Sequence, residues 1–190
     1  MLVTEDSQDR VMVFIDLANV QKSVRSKESA GFRLDYYRLV KELVGPRRLI
    51  GAYVFDAVSS ADRTSFEPKK RLHDALRYLG FRVVAREVSF EEEGQQKEVD
   101  VALATEMVVG ALRDAFDVAI LVSGDRDFVP AVERTRTEGK RVEVAFFGGS
   151  VDPDRRSSFS LHLQKVADRI LDLDELPLLQ LGIEQAPGVS

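Results

Sequence analysis

The run from Val118 to Val122 constrains the fold more than any other stretch of this chain. Its five apolar residues, Val-Ala-Ile-Leu-Val, have the length and branching of a strand buried on both faces. The sequence continues directly into Ser-Gly-Asp-Arg-Asp, so the strand brings Asp125 and Asp127 to its carboxyl end. In open α/β sheets, ligands bind beyond the carboxyl ends of the strands. The sequence therefore predicts a site at that edge.

A second apolar run ends in an acid in the same way. Arg10 to Asp16 reads Arg-Val-Met-Val-Phe-Ile-Asp, and Asn19 follows closely enough to share the turn into the next helix. Aspartate is also a good N-cap, so Asp16 taken alone fits a structural role as well as a functional one. After the first run, Gly124 lets the backbone turn sharply, and the Ser123 hydroxyl can orient a carboxylate or a water.

A third acid is expected at the same edge. A predicted helix from Glu98 to Leu112 carries Asp100 in its first turn, just after a predicted strand from Phe81 to Val88. The ordinary reason for an acid there is the helix dipole, which favours it by about 0.3 to 1 kcal/mol. Glu106 lies about 600° further around the helix, points away from Asp100 and is a secondary candidate.

Strands alternate with helices along most of the chain, which predicts right-handed crossovers and a parallel sheet in an α/β domain. One domain over residues 1–175 is expected, with a short tail over residues 176–190. The other predicted elements are helices over residues 35–45, 67–79 and 128–138, strands over 49–58 and 141–147, and a helix with a short terminal strand within 157–173.

Composition excludes several kinds of chemistry. With no cysteine among 190 residues there are no disulfides, thiolate metal sites or cysteine nucleophiles, and a reducing compartment fits. His73 and His162 lie in separate predicted helices away from the candidate aspartates, which disfavours histidine acid/base chemistry. The polar first ten residues do not resemble a signal peptide, and no apolar run approaches the roughly 20 residues of a membrane span. A cytoplasmic protein with no membrane contact is expected.

The four aspartates at one edge require a counter-charge. Two unit charges about 4 Å apart cost roughly 4 kcal/mol at an effective dielectric of 20, and Arg126 is a single cation. Oxygen ligands without cysteine or a nearby histidine select Mg²⁺ or Mn²⁺, and such ions at a sheet edge act on phosphates. Formal net charge is -5, and two divalent cations would bring it to about -1.

Two basic clusters are candidate contacts for a phosphate backbone. Lys69, Lys70 and Arg71 lie in one predicted helix, and Arg155 and Arg156 follow a Gly/Pro-rich loop at the same edge. Each Lys or Arg on a phosphate backbone adds affinity without reading sequence. The ordinary interpretation of such clusters is a solvated surface, and they matter only if they border the acids.

These segments resemble the signatures of the NYN domain, a branch of the PIN-like nuclease superfamily. The resemblance rests on Phe14 to Asn19, Lys97 to Leu103, Leu121 to Phe128 and a closing segment from Ser160 to Leu173. It implies a three-layer α/β/α fold with a mainly parallel sheet of five or six strands, and a Mg²⁺- or Mn²⁺-dependent ribonuclease. By motif position, the catalytic and metal-binding carboxylates are Asp16, Asp100, Asp125 and Asp127, and the supporting residues are Asn19 and Ser123. At Glu106, relatives often have aspartate.

The alternatives differ in class. A regulatory or adaptor module could keep this fold and bind RNA or a protein partner without turnover. A Toprim-like phosphotransfer domain usually has glutamate where this chain has Asp16, and a nucleotide-binding Rossmann domain needs a Gly-x-Gly-x-x-Gly that is missing after the first strand. Single-stranded RNA is the expected partner of the nuclease. The hydrophobic tail segment Leu178 to Leu181 is expected to dock on the body, on a second copy or on another protein.

Overall fold

The computed structural model describes residues 8–28, 32–59, 63–88, 95–147, 161–176 and 182–184. Arg155, Arg156 and the tail segment Leu178 to Leu181 lie outside these ranges. In chain order the elements are β1 (Arg10–Asp16), α1 (Leu17–Glu28), β2 (Phe32–Leu34), α2 (Tyr36–Val44), β3 (Arg48–Ser59), α3 (Arg63–Tyr78), β4 (Arg82–Val88), α4 (Gln95–Leu112), β5 (Val118–Val122), α5 (Val129–Thr137), β6 (Arg141–Phe146), α6 (Leu161–Val166), β7 (Arg169–Asp172) and β8 (Gly182–Glu184).

Six of these strands form one parallel sheet in the order β4-β3-β1-β5-β6-β7. Apolar residues of α1, α2 and α3 pack on one face, and those of α4, α5 and α6 pack on the other. The predicted α/β/α architecture with a parallel sheet is confirmed, and the sheet has six strands. Strand order reverses between β1 and β5, which makes their carboxyl ends the topological switch point of the sheet.

The two central strands are buried on both faces, as their continuous apolar sequences predict. Side chains alternate along a strand, so Val13 and Ile15 of β1 enter one core cluster while Phe14 enters the other. All five residues of β5 are buried. Asp16 continues the row of Phe14 and therefore emerges on the face covered by α4.

Several element boundaries differ from the sequence prediction. Helices α3 and α4 begin at Arg63 and Gln95, so Pro68 lies inside α3 and Asp100 lies beyond the first turn of α4. The closing segment splits into α6 and β7 because Asp168 ties the chain to β6: its N–H donates to the carbonyl of Val142, and its carboxylate accepts the N–H of Val142.

A second, two-stranded antiparallel sheet joins β2 to β8, so part of the C-terminal segment pairs with the body of the protein. Both strands are only three residues long, too short for alternation of apolar and polar side chains to reveal them in the sequence. Among the helices that the structure describes, none is long and apolar enough to cross a membrane.

Candidate active site at the carboxyl edge of the sheet

Asp16 ends β1 and is 3% exposed. Its Oδ1 accepts the N–H of Asn19 at 3.1 Å, and its Oδ2 accepts the hydroxyl of Ser123 at 3.0 Å. Burial raises the pKa of Asp16, these two hydrogen bonds oppose the rise, and the nearby charges of Asp125 and Asp56 add to it. Both oxygens are therefore oriented by the protein.

The loop after β5 is tied to the first strand-to-helix turn. The Gly124 N–H donates to the side-chain carbonyl of Asn19 at 3.1 Å. The Ser123 oxygen, which donates to Asp16, also accepts the N–H of Asp125 at 3.2 Å. Asn19 and Ser123 thus link the two strand ends.

Asp125 is the N-cap of a short 3-10 helix, Arg126–Phe128, and Asp127 is the second residue of that helix. The carboxylate of Asp125 accepts the N–H of Asp127 at 2.9 Å and caps that helix. Asp125 is half-buried and Asp127 is exposed, while Phe128 anchors the turn in the core. The Ser-Gly-Asp-Arg-Asp-Phe sequence therefore has a local structural reason as well as a place in the site.

Asp100 faces the other three acids from α4. Burial raises its pKa to about 7, and the charges of Asp16, Asp125 and Asp127 push it in the same direction. The helix dipole acts mainly within the first turn, so it is a weaker explanation for Asp100 than the sequence suggested. We call Asp16, Asp100, Asp125 and Asp127 the four-aspartate site.

Glu106 lies elsewhere on α4, with its carboxylate 4.0 Å from the guanidinium of Arg82 at the start of β4. That end of β4 is at the amino edge of the sheet. This position agrees with the sequence argument that Glu106 points away from Asp100.

The donor set of the four-aspartate site fits a hard divalent cation, because every candidate ligand is an oxygen. The mutual repulsion that raises the pKa of Asp100 is the kind of strain that a cation relieves. Within the described ranges, however, no three acidic or histidine side chains are arranged to hold one ion as they stand.

The basic candidates occupy different environments. Lys70 and Arg71 are exposed on α3. Lys69 turns inward instead, and its ammonium donates to Asp56 Oδ1 at 3.0 Å and to the carbonyl of Ala57 at 2.8 Å. The structure thus separates Lys69 from its two sequence neighbours.

Asp56 and His73 were not assigned to the site from sequence. Asp56, near the end of β3, is fully buried, and its Oδ2 lies 2.9 Å from Nε2 of His73 on α3. One signal could have found the aspartate, since Tyr-Val-Phe-Asp at residues 53–56 is a third apolar run that ends in an acid. Lys69 and His73, four residues apart, lie on one helical face.

The family match decides the identity of the domain. A family model, the NYN domain, matches residues 10–174, which covers most of the chain from β1 to just beyond β7. The chain belongs to the NYN domain family. This family is nuclease-like, and its nucleases typically use divalent metals.

The NYN domain is also similar to the crystal structure of a protein of unknown function from Vibrio parahaemolyticus. The TM-score is 0.70 at 23% sequence identity, over 95% of this chain and 100% of the other. At that identity the likeness shows a shared fold. No curated protein matches the chain.

Proposed function

We propose that this NYN domain is a Mg²⁺- or Mn²⁺-dependent ribonuclease that hydrolyses phosphodiester bonds of single-stranded RNA at the four-aspartate site. The observation that carries the proposal is the convergence of four carboxylates at one edge, where burial of Asp100 and then the charges of Asp16, Asp125 and Asp127 raise the pKa of Asp100 to about 7. A purely structural edge gains nothing from such repulsion. At a site that takes up a divalent cation, relief of this repulsion adds to the free energy of cation binding.

When bound, a divalent ion would polarise a phosphoryl oxygen and lower the pKa of water at the site. Asp16, Asp100, Asp125 and Asp127 would hold it. Ser123 and the Asn19 N–H fix the orientation of the Asp16 carboxylate, and the 3-10 helix fixes Asp125. Without a cation, the raised pKa of Asp100 favours protonation of its carboxyl group well above the ordinary aspartate range.

RNA is the substrate that suits this site and this family. The phosphodiester backbone brings the negative charge that a metal-loaded carboxylate cluster attracts, and the basic face of α3 adds cations beside it. A cytoplasmic location fits the absence of cysteine and places the enzyme with its substrate.

The deciding experiment is cleavage of labelled single-stranded RNA by purified protein with Mn²⁺, Mg²⁺ or EDTA. We expect cleavage with either ion, none with EDTA, and loss of at least about a hundredfold in Asp125→Asn. Asp74→Asn is the matched control because Asp74 is an exposed acid on α3 paired with Arg77. Cleavage that persists in EDTA or in Asp125→Asn would contradict the proposal.

A non-catalytic adaptor is the second candidate, favoured by the lack of a ready three-ligand arrangement in the described residues. Such a module binds RNA or a protein partner without turnover. Wild-type protein that binds Mn²⁺ and RNA yet cleaves none of several RNAs would favour the adaptor.

A further inference from the structure

Lys69, Asp56 and His73 form a polar cluster at the carboxyl edge of the sheet, on the face opposite Asp100. Asp16 pairs with Phe55 in the register of β1 and β3, so Asp56 lies one residue beyond the strand neighbour of Asp16. Adjacent strands are about 4.8 Å apart, so the backbone of Asp56 lies next to the end of β1 while its side chain projects to the opposite face of the sheet. Consistently, the charge of Asp56 contributes to the raised pKa of Asp16.

The cluster restrains the side chain of Lys69. Asp56 is 0% exposed, His73 is 3% exposed, and the Lys69 side chain is 27% exposed. An ionised carboxylate only accepts hydrogen bonds, so His73 donates to one oxygen of Asp56 while Lys69 donates to the other. The carbonyl of Ala57 is a second acceptor for Lys69. A surface lysine side chain is normally mobile, whereas these hydrogen bonds hold the Lys69 ammonium in one position.

The restrained Lys69 ammonium has a hydrogen-bond donor left for a ligand. An ammonium has three N–H donors, and in the described part of the chain two of them are used, by Asp56 and Ala57. Lys69 lies at the sheet edge that also carries the four aspartates, whose carboxylates repel any anion until a cation neutralises them. An ammonium fixed at this edge of the sheet is suited to bind a phosphate oxygen. Because its position is already set, the contact costs less conformational entropy.

We propose that Lys69 contacts a backbone phosphate of the RNA on the β3 side of the four-aspartate site, and that Asp56 and His73 are positioning residues that hold Lys69 there. The inference rests on the proposed function for its substrate class. The RNA strand then runs from the acids across the first turns of α3. Lys70 and Arg71, exposed on the same helix, add diffuse attraction, and Lys69 supplies a defined contact.

The test measures binding of a short labelled oligouridylate by fluorescence anisotropy at several salt concentrations. Ca²⁺ is present to neutralise the carboxylates, and gels of the same samples check that the RNA is intact. The variant is Lys69→Gln, whose amide can still donate to Asp56. We expect several-fold weaker binding and a salt-dependence slope shallower by about 0.7, the value for one phosphate contact on a single strand. Lys69→Arg keeps the charge and should keep the slope.

A structural role for Lys69 makes a different prediction. Mn²⁺ affinity, measured by calorimetry without RNA, should stay the same or rise in Lys69→Gln, because a positive charge beside the carboxylates has been removed. A lysine that only tethers α3 to β3 would lower RNA and Mn²⁺ binding together. Lys41→Met is the control, since Lys41 is an exposed lysine in the last turn of α2, away from this edge, and both affinities should match the wild type.

The possible results separate the two proposals. An unchanged affinity and slope in Lys69→Gln, or parallel loss of RNA and Mn²⁺ binding, overturns the phosphate contact. The expected slope change in a protein that never cleaves RNA with Mn²⁺ supports the contact and overturns the ribonuclease. Wild-type protein that binds no RNA overturns both.

Discussion

At the scale of single residues, Asp16 serves the fold and the site with different oxygens. One oxygen accepts the N–H of Asn19 in the manner of a helix cap, and the other accepts the hydroxyl of Ser123, 107 residues further along the chain. Capping needs only the first contact. The second joins two strand ends, so capping does not account for the whole environment of this carboxylate.

Asp100 should destabilise the metal-free protein at neutral and alkaline pH. Its pKa rises from the ordinary aspartate value of 3.8 to about 7 in the folded protein. Between pH 3.8 and about 7, the folded protein keeps a proton on Asp100 that the unfolded chain has released. The free energy of unfolding therefore falls as pH rises through this range. Asp100→Asn, which cannot ionise, should escape this loss.

At pH 8 in EDTA we expect Asp100→Asn to be more stable than the wild type by about 1 to 2 kcal/mol, a value discounted because the side chain is only partly buried. The melting temperature should rise by about 2 to 8 °C. At pH 5 the difference should be smaller, because Asp100 is then protonated in the folded protein and ionised mainly in the unfolded chain. Thermal unfolding at both pH values checks this, and equal or lower stability at pH 8 would refute the electrostatic argument.

Ser123→Ala removes a hydroxyl that bridges Asp16 and Asp125. Ser123 is 1% exposed, and its hydroxyl donates to Asp16 and accepts from the Asp125 N–H, so both partners lose an oriented contact. We expect Mn²⁺ affinity or cleavage to fall by about 10- to 100-fold, the usual effect of losing a residue that orients a metal ligand. Ser23→Ala is the control because the Ser23 hydroxyl donates to the backbone carbonyl of Asn19 and not to a candidate ligand. Equal losses in the two variants would argue against the bridging role.

At the scale of elements, the strands were the most predictable part of the molecule. Continuous apolar runs identify β1 and β5 because both faces of a central parallel strand are buried, and an acid after each run marks the carboxyl edge. The same reasoning brought Asp16, Asp125 and Asp127 to one place. The element order also predicted the parallel sheet, and the resemblance to the NYN domain implied helices on both of its faces.

Contacts between distant segments could not be read from the sequence. Gly124 bonds Asn19, and Lys69 bonds Asp56, because of how strands and helices stack, which no local pattern encodes. The residues that begin α3 and α4 have no apolar periodicity of their own, so the predicted starts were late. The short terminal strand predicted within residues 157–173 is β7, although its residues are only partly buried.

The buried pair of Arg47 and Glu143 holds elements together away from the site. Arg47, just after α2, bonds Glu143 of β6 through both carboxylate oxygens, at 2.6 and 3.1 Å, and also donates to the carbonyls of Leu43 and Val44. Glu143→Gln leaves the buried guanidinium without its counter-charge. We expect a loss of about 3 kcal/mol in the free energy of unfolding.

Denaturant unfolding measures that loss, and a Mn²⁺ titration of the same variant at low temperature should match the wild type. Glu133→Gln, an exposed acid on α5, provides the control for a glutamate-to-glutamine change. A Mn²⁺ affinity that falls together with stability would show that this pair also supports the four-aspartate site.

At the scale of the whole molecule, the net negative charge bears on the proposed metal site. The formal net charge is -5, and the four-aspartate site concentrates part of it at one edge of the sheet. A ligand that binds only the folded state raises stability by an amount set by its concentration relative to Kd. A divalent cation at this edge should therefore stabilise the entire domain.

We expect Mn²⁺ at about 100 times its Kd to add about 2.7 kcal/mol to the free energy of unfolding. Melting temperature measured over a Mn²⁺ titration should rise in the wild type and much less in Asp16→Asn. Asp74→Asn, which alters an exposed acid of α3, should follow the wild type. A similar rise in all three proteins would indicate binding elsewhere.

The reversal of strand order between β1 and β5 also sets when the site can exist during folding. β1 is the first strand in the chain, but Val11 of β1 pairs with Val118 of β5. One of the two hydrogen-bonding edges of β1 is therefore paired only after a much later segment has been made. Contacts this far apart in sequence form slowly because their loop-closure entropy must be overcome first. The mutually repelling aspartates thus meet only after both halves of the sheet have been made. A chain that is still being synthesised as far as β4 has no assembled acid cluster, so the proposed ribonuclease activity would begin only when the domain is whole.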